Sequence, residues 1–180
     1  MEIINKIGVS NQIKNILLTV FGTLILTLSA KVQTPLAQVP VTMQTFAVLF
    51  LGMAFGYKIA TATVILYLIE GAFGFPVFAK GGGLMYLAQP TAGYLFGMTI
   101  AAGVIGFFAE RGYASSYIKS LVPLTIGTLI IFALGVGYLG TFIGFDKAII
   151  LGLFPFWPSE VFKIALAMFI VPSIWKYINK

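Results

Sequence analysis

An acid and a base three residues apart, Glu160 and Lys163, head an apolar run in the stretch FPFWPSEVFKIALAMFIVPSIW, from Phe154 to Trp175. On a helix, residues i and i+3 project from one face, so the two charges point the same way. Glu160 falls in the first turn, where the helix dipole favours negative charge, and Ser159 is placed to cap the helix. A capped helix start with an interfacial ion pair accounts for part of this, as does a lysine snorkelling to lipid headgroups. Lys163, however, lies about one turn inside the apolar run, and an ionisable residue inside a membrane segment is a functional site by default. Such a pair suits a ligand that offers an acceptor together with N–H donors, or a carboxylate. Glu70 is a second acid beside an apolar segment, and the reading that it ends a helix at the outer surface is at least as strong. Gln44 and Gln89 are single amides beside loops, each able to cap a helix or bond a ligand.

The residue types that are absent narrow the chemistry. The chain has no cysteine and no histidine. Disulfides, thiolate nucleophiles and imidazole bases are excluded, and only carboxylates remain as ordinary metal ligands, so no metal site is expected. The order of GMAFGYK is wrong for a GxxxxGK[ST] phosphate loop, which excludes ATP hydrolysis by that route. No ring of charges marks a channel, and no paired inverted halves mark a common type of secondary transporter. A membrane enzyme would need Glu70 and Glu160 to converge, and their separation in sequence offers no support. Neither catalytic residues nor a cofactor are expected. A purely structural bundle subunit would explain the helices but not the elaborate loops between them.

The elements that position the pair follow from composition. Of the residues, 59% are hydrophobic and 9% charged, with mean hydropathy +1.03, where soluble domains carry about 25% charged. So few charges cannot cover a surface in water, and lipid must be the solvent for most of the chain. The net charge of +6 comes from lysines set singly beside apolar stretches, which suits membrane orientation rather than nucleic acid. Six spans of roughly 20 residues use up the length, giving one all-α membrane domain over residues 1–180. The N-terminal run ending in LSA at Ala30 loosely fits a signal peptide, but the rest of the chain is equally apolar, which favours a first transmembrane helix.

The expected helices cover residues 13–30, 43–55, 59–71, a fourth after QPTAGY to about 109, 120–141 and 159–177, with a short helical piece before Pro155. GYK, from Gly56 to Lys58, is a tight turn between the second and third. Thr19, Thr23 and Thr27 recur every four residues and put small polar side chains on one face of the first helix, a close-approach signal in membranes. Three stretches resist regular structure: residues 31–44 with Pro35 and Pro40, the glycine-rich 70–90, and 142–159. Irregular backbone is tolerated at membrane depth only where protein buries it or a wet cavity receives it. On the side of both termini lie Lys6, Lys14, Lys58, Arg111, Lys119, Lys176 and Lys180, against Lys31, Lys80 and Lys147 on the other. That bias puts both termini in the cytoplasm and the three irregular stretches outside, where a ligand would be caught.

The blocks VPVTMQTFAVLFLGMAFG, YLIEGAFGFPVFAKGGG, QPTAGYLFG and PFWPSEVFKIALA resemble, in this order, those of the BioY family, the biotin-specific substrate-binding (S) components of energy-coupling factor (ECF) transporters. The resemblance covers roughly residues 23–172, and the combination of blocks is far more specific than any one. It implies a six-helix S-component fold in a bacterial cell membrane, with an outward-facing biotin pocket. It also implies association with a scaffold transmembrane subunit and two ABC-type ATPases. Glu160 stands where the family usually has Asp, Lys163 matches, and AKGGGLMY lacks an Asn found in relatives. By the same resemblance, Glu160 would accept ureido N–H bonds, and Lys163 would donate to the ureido oxygen or the valerate. Tyr86, Trp157, Phe78 and Phe156 would cover the ring, while Gln44, Gln89 and the backbone of Gly82 and Gly83 would complete the contacts. Thr23 and Thr27 stand where relatives present an Ala-xxx-Ala face to the scaffold.

Overall fold

The computed structural model describes residues 10–34 and 40–178, the last three by their backbone. Pro35, Lys6, Lys180 and the side chain of Lys176, all invoked above, lie outside the described residues. Helix α1 (Asn11–Lys31) opens on Ser10, whose hydroxyl accepts from the Ile13 N–H. Two short strands, β1 (Gln33–Thr34) and β2 (Val41–Thr42), pair antiparallel with Gln33 opposite Thr42. The described residues of the expected structured loop thus pair as a short antiparallel ribbon, and the chain continues from it into α2 (Gln44–Ala72).

Helix α2 is broken at Gly56, whose φ of 76° and ψ of 173° are not helical. Its two arms fold back on each other, since Gln44 Nε2 lies 2.9 Å from the Tyr67 hydroxyl. In a straight helix those residues would stand about 35 Å apart. The expected turn at Gly56–Lys58 is thus present, compressed to a single glycine. A Cβ at Gly56 would sit 2.6 Å from Glu110 Oε1. That oxygen accepts the Tyr57 N–H at 3.1 Å and so satisfies a donor exposed where the second arm begins.

After α2, residues 73–91 form turns around a single 3₁₀ helix (Leu84–Ala88). The stretch is tied back by the Gly83 N–H, which donates to Gly71 O at 2.7 Å. The Phe78 ring lies against Gly71 so closely that no side chain fits there. Helix α3 (Ala92–Ala109), a 3₁₀ turn (Tyr113–Ser115), α4 (Tyr117–Ile143), α5 (Phe145–Gly152) and α6 (Trp157–Ile178) complete the chain. The short piece expected before Pro155 is α5. Helix α6 starts at Trp157, earlier than expected: the Glu160 N–H already donates to Phe156 O at 2.9 Å. Ser159 lies inside the first turn rather than at the cap, and Pro158 is tolerated there because first-turn N–H groups have no helical acceptor.

Among the described residues, five helices, α1, α2, α3, α4 and α6, are long and apolar enough to cross a membrane, with the folded α2 counted once. Their packing uses small residues. Gly22 lies against Thr63, Gly97 against the Ile131 backbone and Gly106 against the backbone of Tyr57. Leu49, Leu51, Ile105, Leu124 and Ile131 fill the centre, while Leu28, Leu129, Phe162 and Phe169 face outward. Such a surface suits lipid, and the chain is a multi-pass membrane protein.

Thr23 sits elsewhere than expected. It is 2% exposed, and its hydroxyl lies 3.1 Å from Glu70 Oε1 and 2.9 Å from Val20 O. It joins α1 to the second arm of α2 and is not presented outward. Glu70, half-buried, takes part in this internal contact rather than marking a free helix end. Thr27 is half-buried, and the outward face of α1 carries Ile13, Ile16, Leu17, Val20, Phe21, Leu24 and Leu28 instead.

Candidate ligand-binding site

The start of α6 packs against the junction of β2 and α2, and the two elements build one polar cluster. Lys163 Nζ donates to Thr42 O at 2.7 Å, to Thr45 Oγ1 at 2.9 Å and to Glu160 Oε1 at 2.7 Å. The Thr45 hydroxyl in turn donates to Glu160 Oε1 at 3.0 Å. An ammonium has three donors, and all of them are used. Glu160 and Lys163 are 3% and 2% exposed, so the ion pair is buried. Burying two charges is costly unless every lone pair and proton finds a partner. Here one does not: Glu160 Oε2 is the only fully buried side-chain polar atom without a hydrogen bond among the described residues.

Glu160 lines a cavity of about 50 Å³. Thr42, Gln44, Thr45 and Lys163 line it on the polar side; Tyr86, Tyr94, Phe132 and Phe156 supply aromatic walls, and Pro40 and Ala79 come from the irregular connections. The aromatic wall is rigidly built. Tyr94 meets Phe132 edge-on at 5.8 Å and stacks on Phe156 at 6.2 Å, and its hydroxyl donates to Gly152 O at 2.8 Å. On the other side Tyr86 stacks on Phe78 at 4.7 Å, and Phe78 meets Tyr67 edge-on at 5.3 Å. Burial raises the Tyr86 pKa, against a smaller opposing effect of the Lys80 backbone, so Tyr86 stays a neutral hydroxyl. The Gln44 amide accepts from Thr42 Oγ1 at 3.2 Å and donates to Tyr67, whose own hydroxyl donates to Val77 O at 3.0 Å. That chain of bonds fixes the glycine-rich stretch relative to the ion pair.

Of the residues expected at the site, the structure brings Glu160, Lys163, Gln44, Tyr86 and Phe156 to one cavity. Phe78 stands one layer behind Tyr86. Gln89 is exposed and does not line the cavity, nor do Gly82 and Gly83, which hold the glycine-rich stretch in shape. A side chain on Gly82 would strike the Phe75 carbonyl.

Trp157 is 66% exposed and lines a different hollow, an apolar groove of about 480 Å³ between α4 and α6. Helical phase explains this. Six residues turn a helix by about 240° net, so Trp157 and Lys163 stand about 120° apart with Glu160 between them. Sequence reasoning missed Thr42, Thr45, Tyr94 and Phe132. A hydroxyl at Thr42 or Thr45 carries no signal until β2 and α6 are seen to meet.

A buried ion pair with one unmet acceptor beside an aromatic-walled cavity, on a helical membrane fold, marks a membrane protein with a ligand-binding site. The chain belongs to the BioY family, whose model matches residues 4–180. A probable biotin transporter BioY of Pyrococcus horikoshii is 34% identical over 162 residues, covering 89% of this chain and 96% of the relative. A biotin transporter BioY of Thermotoga maritima is 38% identical over 156 residues, covering 86% and 91%. The crystal structure of the S component for biotin from an ECF-type ABC transporter superposes with a TM-score of 0.82 over 93% of this chain and 95% of that one. At 22% identity this last likeness speaks for the fold.

Proposed function

We propose that this chain captures biotin outside the cell membrane and serves as the S component of an ECF-type transporter, working with a scaffold subunit and two ABC-type ATPases. In this reading it is a transporter component and not an enzyme, and biotin is its cargo. In this reading each arm of α2 makes its own crossing; six crossings leave both termini on one side, and the excess of Lys and Arg on that side favours the cytoplasm. One observation carries the substrate reading: the buried, unpartnered Glu160 Oε2 beside an aromatic wall. Biotin offers ureido N–H donors for that oxygen and an apolar bicyclic ring for Tyr86, Tyr94, Phe132 and Phe156. A hydrogen bond to a charged group contributes about 1.5–3 kcal/mol, whereas nanomolar affinity needs about 12, so ring burial and the preformed wall supply most of it. The cavity of about 50 Å³ has room for a few waters. A bicyclic ligand needs more room than this, which a shift of a lining segment such as residues 79–86 would supply.

Equilibrium dialysis of the detergent-purified chain against labelled biotin, riboflavin and thiamine tests this reading. It expects saturable biotin binding at one molecule per chain and no uptake of the other two. Binding of another vitamin in preference to biotin would replace the substrate. Uptake of biotin into cells that lack the scaffold and ATPases would instead assign transport to this chain alone.

A further inference from the structure

We infer that Lys31 is a positioning residue for ligand capture: from the end of α1 it holds the turn at 78–81 against the cavity, and so governs how fast ligand passes rather than what the site recognises. The inference rests on the biotin reading above, which supplies the probe. Three successive carbonyls lead into this turn, and each is taken by a side chain from a different element. The Tyr67 hydroxyl of α2 donates to Val77 O at 3.0 Å, Lys31 Nζ of α1 to Phe78 O at 2.7 Å, and Gln33 Nε2 of β1 to Ala79 O at 3.3 Å. The turn itself closes through the Phe78 N–H, which donates to Gly81 O at 2.9 Å, and the Gly81 N–H, which donates to Phe78 O at 3.3 Å. Val77, Phe78 and Ala79 are buried outside any helix, so their carbonyls need such partners. Among the described residues Lys31 forms no salt bridge, and its ammonium makes one hydrogen bond, to Phe78 O.

The three bonds differ in exposure. Tyr67 is buried, and the Phe78 ring is wedged between Tyr67 and Tyr86 against Gly71, so the inner edge of the turn is fixed. Lys31 and Gln33 are exposed, and water replaces their bonds when they let go. Ala79 and, further along, Tyr86 line the cavity, while Gly82, Leu84 and Met85 between them face outward. A bicyclic ligand needs more room than about 50 Å³, and a stretch held by solvent-exposed bonds is the part of the wall that yields at least cost. The tether from α1 is made outside the cavity, so it resists displacement of the turn whether the cavity is empty or filled. Removing it lowers the barrier to entry and to exit alike and leaves affinity nearly unchanged.

Association and dissociation of labelled biotin on the detergent-purified full chain test this, with dissociation followed by chase with unlabelled biotin. Salt of about 0.5 M keeps the lysine's charge from affecting encounter. In Lys31→Met both rates rise by at least about fivefold, while the equilibrium affinity stays within about threefold of the parent and the thermal midpoint is unchanged. Lys31→Arg, which retains a donor for Phe78 O, brings both rates back to within about twofold of the parent. Rates in Lys31→Met within about twofold of the parent overturn the inference while leaving biotin as the substrate. So does a loss of affinity at an unchanged association rate, which marks a merely structural role. Failure of the parent chain to bind biotin removes the substrate reading and this inference with it.

Discussion

Two hollows meet at Glu160 and Phe132, and they have little else in common. The cavity under Tyr86 measures about 50 Å³ and gathers Thr42, Gln44, Thr45 and Lys163 around the shared carboxylate. The groove between α4 and α6 measures about 480 Å³ and is lined by such residues as Leu121, Leu129, Val161, Ile164 and Met168. In water the larger hollow would draw attention. In a bilayer it is a fissure on the face where Leu129 and Val161 are exposed, and lipid tails are as apolar as its walls. The smaller hollow holds what lipid cannot satisfy, the buried cluster of Thr42, Gln44, Thr45 and Lys163 around a carboxylate with one oxygen that no described residue bonds. For a membrane protein, the unmet polar demand of a hollow identifies a site better than its volume.

Substitutions on either side of the shared wall test that contrast. The largest effect is expected from Lys163→Ala, which leaves Glu160 as an uncompensated buried charge. Removing one partner of such a pair costs about 3–5 kcal/mol. Biotin affinity measured by titration in detergent should fall by at least about 100-fold while the protein still inserts in membranes. Next, Thr45→Val removes the hydroxyl that bridges Lys163 and Glu160 and should weaken binding by roughly tenfold, whereas Thr45→Ser should stay within about threefold of the parent. A larger loss in Thr45→Ser than in Thr45→Val would mean that Thr45 acts by packing rather than through its hydroxyl.

At the far end of the bundle, Gly56→Ala forces a side chain into a left-handed backbone against Glu110. It should lower stability by about 1–2 kcal/mol, read as a drop in thermal midpoint, with biotin affinity nearly unchanged. The smallest effect is expected from Trp157→Ala in the groove, less than about threefold in biotin affinity. A loss comparable to that of Lys163→Ala would place the indole in the binding cavity and erase the distinction between the two hollows.

Much of this was legible in the sequence, for physical reasons that differ by element. Hydropathy located the membrane helices, and Gly56 announced the turn because only a glycine reverses the chain so tightly beside Glu110. The i, i+3 spacing put Glu160 and Lys163 on one face whatever the helix packs against. What could not be read depends on phase and on distant partners. The start of α6 at Trp157 rather than Ser159 is settled by the Glu160–Phe156 backbone bond, and the turn of the helix from there sends the indole away from the cavity. Thr23 belonged to a visible stripe, but a stripe does not say which neighbour it meets, and Glu70 claimed it. Thr45 contacts residues more than a hundred positions away, so nothing local marks it.

The central claim is that Glu160 offers a charged, otherwise unpartnered oxygen to an N–H of the ligand. The most direct test is calorimetric titration of biotin into the purified Glu160→Gln variant beside the parent chain. The side chain keeps its length and loses its charge. The account expects affinity at least about 100-fold weaker in the variant. Unchanged affinity would contradict it.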